Sequence, residues 1–194
     1  MKKYLPKGFT MIELLIVIAV LGILAIAVLA AINPIEQINR GRDTGSRSDA
    51  EQLLSAIDRY NASQMLWPWQ DVSTNTAVVA WTTVTAVAPT GTSCSMLLNL
   101  AKDDTVGATC PGTDEVKASF VNRITDGAYN ALRIQFDGGP GDSVYVCFNP
   151  QSGSFAKEAD TRCAGTLPTD FPATACGSCP IDSTGQHTNC ICLP

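Results

Sequence analysis

Histidine is nearly missing from this chain: one residue, His187, in 194. That excludes histidine-rich chemistry and leaves a histidine-assisted triad without support. Also missing are a nucleophile elbow, a phosphate-cradling glycine loop and a His-Glu zinc motif. No residue is therefore assigned a catalytic role, and a membrane-tethered enzyme is the weaker functional hypothesis. Basic residues are short as well. Thirteen Lys and Arg stand against 18 Asp and Glu, for a net charge of −5. That balance suits a soluble exterior and argues against binding nucleic acid or other polyanions unaided.

What is present is concentrated at the start, MKKYLPKGFTMIELLIVIAVLGILAIAVLAAINP. A basic leader ends at Gly8, and an apolar run from Met11 to Ile32 follows, broken by a single charge at Glu13. As a helix rising about 1.5 Å per residue, the run is long enough to cross about 30 Å of hydrocarbon. Two bland readings exist. A secretory signal has a shorter apolar region and a small-residue cleavage site, which Ala25 to Ala31 could imitate. A plain anchor would keep Lys2, Lys3 and Lys7 in the cytoplasm and the rest of the chain outside. Neither explains why a carboxylate, costing several kcal/mol inside a membrane, sits at Glu13.

The order Lys7-Gly8-Phe9-Thr10-Met11-Ile12-Glu13-Leu14-Leu15 resembles the processing site of the type IV pilin superfamily, which includes pilins, pseudopilins and competence pilins. The resemblance implies a cut by prepilin peptidase between Gly8 and Phe9, usually with methylation of the new amino terminus, and retention of Glu13. The new α-amino group on Phe9 would be cationic below a pKa of about 8. Glu13, one helical turn further on, would pair with the amino terminus of a neighbouring copy and act as a register key. The alternative is that Glu13 merely reaches the headgroup layer.

Asn33-Pro34 ends the run, and a kink or opened turn is expected there, since proline removes a donor and clashes with the preceding turn. Beyond it Ala50, Leu53, Leu54, Ile57 and Asn61 recur on one helical face. The expectation is one long bent helix from Phe9 to about Met65, stopping before Trp67-Pro68. Gly41 and Gly45 each cost about 1 kcal/mol of helix propensity. They mark a flexible joint, a break between two helices, or an ordinary helix held by its neighbours. Arg40, Arg42 and Arg47, mixed with acids, read as a solvated or subunit-facing surface. Asn61-Ala-Ser63 fits a glycosylation sequon but lies in the expected helix, so it is taken as chance.

Further on, Thr74 to Thr92 fits strands or a long loop, and Ser95 to Ala101 a short helix. Ala131 to Phe136, Ser143 to Phe148 and Ser154 to Lys157 read as three strands of an antiparallel meander, with turns at Asp137–Asp142 and Asn149–Gly153. Packed on the helix stripe this gives an α+β head, the architecture the resemblance also implies. The division is then leader 1–8, hydrophobic membrane or filament-core helix 9–33, amphipathic continuation 34–66 and cysteine-rich head 67–194. Removing the leader takes three lysines and leaves ten cations against 18 acids, net −8.

All eight cysteines, Cys94, Cys110, Cys147, Cys163, Cys176, Cys179, Cys190 and Cys192, follow the apolar run. An even number in an exported domain reads as disulfides. The expected pairs are Cys94–Cys110 and Cys147–Cys163, with the tail pairs among Cys176, Cys179, Cys190 and Cys192. The alternative is zinc held by Cys176, Cys179, His187, Cys190 and Cys192, although Cys190-Ile-Cys192 fits a zinc ribbon poorly. Asp137 and Asp142 flank a glycine-rich turn. A hairpin is the default there, and a weak calcium site, as in some pseudopilins, is the alternative. No cofactor is expected.

The functional expectation is a structural subunit, a homo-oligomer in a helical filament, because head-to-tail contacts that do not close generate fibres. By the resemblance it would be handled by prepilin peptidase and a pilus assembly machine. It would reside in the cytoplasmic membrane as a precursor, head outside, and in an extracellular filament once assembled. A pseudopilin or minor pilin of a secretion or DNA-uptake machine, and a membrane-anchored metal-binding module, are the alternatives.

Overall fold

The computed structural model describes residues 8–70, 77–87, 94–101, 112–126, 130–179 and 187–194. The chain divides into two compact units between Ile38 and Asn39. The first contains α1 (Met11–Ala31), and α2 (Pro34–Gln64) begins in it and runs on into the second. The second unit adds β1 (Val79–Thr83), α3 (Met96–Leu100), α4 (Ala118–Thr125), β2 (Arg133–Phe136), β3 (Tyr145–Phe148), α5 (Gly153–Cys163) and β4 (Ile191–Leu193). Long apolar helix, further helices and antiparallel sheet together make an α+β protein.

The expected single helix is instead two. Ile32, at the end of α1, is extended with φ −101° and ψ 131°, and Asn33, the residue that Pro34 biases away from helical backbone, lies outside both helices. Pro34 then opens α2, where its missing N–H costs nothing, and the Asn33 side chain accepts from Glu36 N at 3.4 Å. Asn-Pro thus works as a helix start. Gly41 and Gly45 do not interrupt α2, and nothing lies within 4 Å of where their Cβ atoms would be. The reading that fits is an ordinary helix held by its neighbours on the other face. The helix stops at Met65, which takes the left-handed φ of 58°.

The hold comes from a buried carboxylate. Asp43, fully buried, accepts from Gln151 N at 2.9 Å, Ser152 N at 2.8 Å and Ser152 Oγ at 2.6 Å. Ser152 is also the N-cap of α5, accepting from Phe155 N. Charge-assisted bonds at a helix amino terminus suit an anion twice over, by donors and by dipole. Around it Asn39 Nδ2 donates to Gln151 O at 3.1 Å, and Arg47 pairs with Glu158 while covering the Phe155 ring. Ser154 to Lys157 therefore lies in α5, not in the expected third strand. The capping serine and its anchored turn outweigh the alternation that suggested a strand.

The four strands run in the order β1-β2-β3-β4, all neighbours antiparallel. On one sheet face, Ile134, Phe136, Val146, Phe148 and Ile191 join Ala50, Leu53, Leu54 and Ile57 of α2 in the main core. Asn61, at the far end of the expected stripe, is only half-buried. On the other face Tyr145, Cys147 and Cys192 pack with Phe171, Ala175, Cys179 and Cys190. All four residues of β3 are consequently buried, because a cysteine-rich cover replaces solvent on its second side.

Disulfides staple that cover. Cys147–Cys192 joins directly opposed residues of β3 and β4, with Cα atoms 4.0 Å apart. The others are Cys163–Cys176 and Cys179–Cys190. The expected Cys147–Cys163 bridge is thus incorrect, and of the tail cysteines only Cys179 and Cys190 pair with each other: Cys147 faces Cys192 on the strand that pairs with it, and Cys163, at the end of α5, reaches Cys176 on the following loop. Cys94 is disulfide-bonded, and its expected partner Cys110 lies outside the described residues.

Asp170, on the loop between Cys163 and Cys176, accepts from Ser143 N at 2.7 Å and from the Tyr145 hydroxyl at 3.3 Å. The Ser143 N–H holds the Asp170 carboxyl below its ordinary range. Burial, then the Asp170 charge, pushes the Tyr145 phenol up.

Two measurements follow. Asp43→Ala should lower the unfolding free energy by about 3 kcal/mol in denaturant titrations of the detergent-solubilised chain, since it strands buried donors. The exposed Asp58→Ala should change it by less than about 0.5 kcal/mol. For Asp170, folding lowers the pKa, so its contribution is present above the unfolded value of about 3.9 and is lost as pH falls through the folded one. Asp170→Asn should melt below the wild-type chain at pH 7, and calorimetry should find the gap closing under acid conditions.

Candidate processing and assembly site

The amino-terminal unit places its functional residues in sequence order along one short path. Gly8, Phe9 and Thr10 lie outside regular structure, with Phe9 88% exposed, and α1 starts at Met11. The Gly8–Phe9 bond is therefore in open, non-helical backbone, the condition a peptidase needs to take a peptide into its cleft.

Glu13 is held by its own chain. Thr10 caps α1: its Oγ1 accepts from Glu13 N at 3.3 Å, while Glu13 Oε2 accepts from Thr10 N at 2.9 Å and from Thr10 Oγ1 at 2.6 Å. This is a reciprocal capping box, worth about 1 kcal/mol to a helix end. Its pattern, Thr10-Met11-Ile12-Glu13, is readable in the sequence as Thr-x-x-Glu, and it gives Glu13 a partner within its own chain beside the register role expected of it. The capping box keeps the carboxylate at the head of the helix, one turn from the α-amino group that a cut after Gly8 would create.

Behind Glu13, α1 carries an uninterrupted apolar surface. Met11–Ala30 has a mean hydropathy of 3.1 and no side chain buried in the unit, and it is long and apolar enough to cross a membrane. Leu14, Ile18, Leu21 and Leu29 are all more than half exposed. Such a surface calls for lipid or other helices around it. Pro34, expected to matter for assembly, sits at the start of α2, where Ile35 and Ile38 remain exposed.

The cysteine tail does not fit zinc. The sulfurs of Cys176, Cys179, Cys190 and Cys192 are all consumed in disulfides, and thiolate is the form that binds metal. His187 therefore has no tail thiolate to join as a metal ligand. In the Asp137–Asp142 turn, Asp142 Oδ2 accepts from Gly139 N at 2.7 Å and Asp137 Oδ1 from Gln135 Nε2 at 3.0 Å. Each carboxylate serves its own turn, and Gly138, with φ 83°, supplies the left-handed position the hairpin requires. Among the described residues no cluster of His, Cys, Asp and Glu is arranged to hold a metal.

Residues 6–29 match the family model described as the prokaryotic N-terminal methylation motif. The likeness is confined to this amino-terminal segment, which is similar to that of type IV pilins. The chain is similar to the type IV major pilin protein PilE of Neisseria gonorrhoeae, 38% identical over 73 residues that make up 38% of this chain and 42% of that relative. The match thus spans less than half of either protein. No solved structure matches significantly.

Thr10→Ala, which removes the hydroxyl that caps Glu13 N and bonds the Glu13 carboxylate but keeps the backbone N–H bond to it, should raise amide hydrogen exchange at Ile12 to Leu15 in micelles by about fivefold. Exchange in the α2 interior should stay unchanged.

Proposed function

We propose that this chain is a prepilin that prepilin peptidase cuts between Gly8 and Phe9 and that a pilus assembly machine polymerises into a surface filament. One observation carries the reading: an exposed Gly-Phe bond and a capped glutamate stand together at the head of a 20-residue apolar helix. In the precursor, Lys2, Lys3 and Lys7 keep the leader in the cytoplasm, α1 crosses the cytoplasmic membrane and the head lies outside. The disulfides suit that oxidising side.

In the filament, the exposed side chains of α1 exchange lipid for the α1 helices of neighbouring copies. Phe9 then offers a cationic amino terminus in apolar surroundings, and a second charge left unpaired there is costly. Glu13 pairs with it and fixes the axial register of copy against copy. The carboxylate has only to turn from its own Thr10 to a neighbour's amine. The role is mechanical, and no catalytic residue is assigned. That the similar protein is a major pilin supports a filament subunit ahead of a pseudopilin or minor pilin of a secretion or DNA-uptake machine.

Intact mass of the native protein should begin at Phe9, eight residues short of the translated chain. Glu13→Ala should still be processed and membrane-bound but should deplete sheared surface fibres at least tenfold. Normal fibre yield from that variant would overturn the register role, and a native chain that retains Met1 would overturn the processing.

A further inference from the structure

The head carries a second feature, apart from the amino-terminal residues on which the filament reading rests. Between the exposed face of α2 and the segment leading into α4 lies an open groove of about 650 Å³, within the range of small-ligand sites. Its walls bring together both hydrogen-bonding senses. Arg59 Nε pairs with Glu115 Oε2 at 2.8 Å, and Arg59 Nη2 donates to the Glu115 carbonyl at 3.0 Å. Arg123 pairs with the buried carboxylate of Asp49 and lies over the Phe120 ring, 5.4 Å from its centroid.

Each guanidinium is thereby fixed from one edge and still half-exposed, with further N–H donors remaining out of its five. Part of the side-chain entropy that a ligand would otherwise have to remove is already spent. Acceptors and two-way groups alternate with these donors: Glu51, Gln52 and Ser55 project from α2 into the same groove.

Charge decides the ligand class. Among the described residues, Arg59, Lys117 and Arg123 line the groove against Glu51 and Glu115, and the third cation is neutralised from beneath, where the buried Asp49 pairs with Arg123. A groove of balanced charge has no net attraction for a phosphate, a nucleic acid or a metal cation. The multiple donors and acceptors instead match a solute that carries many hydroxyls and no charge. We infer that this groove is a binding site for a short neutral saccharide, with fixed guanidinium N–H groups donating to its ring and hydroxyl oxygens, and Gln52, Ser55 and the carboxylates accepting from its hydroxyls. The inference goes beyond the filament reading and does not depend on it, because every wall residue belongs to the second compact unit.

The test uses the full chain in a sugar-free zwitterionic detergent. Saturation-transfer NMR would be run with mono-, di- and trisaccharides of glucose, galactose and N-acetylglucosamine, and with inorganic phosphate and a sulfated disaccharide as charged probes. The expected result is transfer to at least one neutral sugar. Gln52→Leu combined with Ser55→Val should weaken that binding by about tenfold, the loss of one to two hydrogen bonds. The melting temperature should hold, because both side chains are exposed. Arg59→Met should weaken binding similarly, while Asp58→Ala, outside the groove, should leave it unchanged. Absence of transfer to every neutral sugar, tighter binding of either charged probe, or equal binding by the Gln52/Ser55 variant would each overturn the inference. Because the readout is independent of fibres, its failure leaves the assembly reading untouched, and the converse holds too.

Discussion

The Asp43 carboxylate, buried against the first turn of α5, is the contact on which the head's architecture depends. A lone buried anion is among the costliest groups a fold can contain. Here three donors from Gln151 and Ser152 meet it, and the positive end of a helix faces it. One interaction thereby fixes three things. It places α2 against the turn that leaves β3, starts α5 in a defined direction, and lets α2 continue through two glycines that would otherwise invite fraying. The hydrophobic stripe from Ala50 to Ile57 supplies burial, but burial alone leaves rotation and sliding of a helix weakly determined. The carboxylate removes that freedom.

The sheet transmits the same constraint. With α2 fixed on one face, β3 is committed to a core on that side, and its other face would be bare without the C-terminal segment. That segment has few large apolar residues and would not fold over the sheet by hydrophobic burial alone. Cross-linking limits the unfolded alternatives instead, and the Asp170 bonds to Ser143 and Tyr145 set where the cover lies. Covalent closure and carboxylate tethers, Asp170 to Ser143 and Tyr145 and Asp160 to Asn189, take the place of a large second core.

Much of this was legible in the sequence. The apolar run, the Gly8-Phe9 and Glu13 order, the helical stripe and the strands around Ile134 and Val146 all follow from spacing that local physics imposes. The α+β class, with its antiparallel sheet on a long helix, follows from the same spacing. What escaped depends on contacts distant in sequence. Asp43 looked like one of several surface charges, although Asp43, Ser46 and Ala50 continue the buried stripe at helical intervals. Ser154 to Lys157 alternates like a strand, but its capping serine is anchored from 109 residues away. The fourth strand, three residues at Ile191–Leu193, is too short to register as a pattern. Cys147 could not be assigned to Cys192 before that strand was known. The Thr10–Glu13 capping box is the opposite case, because its Thr-x-x-Glu pattern is local and needs no distant contact.

The interruption at Ile32 and Asn33 has a further consequence for vertical position. The last turn of α1 leaves carbonyl oxygens without helical partners, and hydrocarbon offers them none. Twenty-one residues of helix reach about 31 Å, nearly the thickness of a bilayer's apolar slab. In a membrane the break could rest only where water begins, and Glu13 at the other end would then rest at the opposite boundary. The two ends together would work as a depth gauge. The chain would have little freedom to bob along the bilayer normal, so every copy would present Phe9 at the same level before any copy met another.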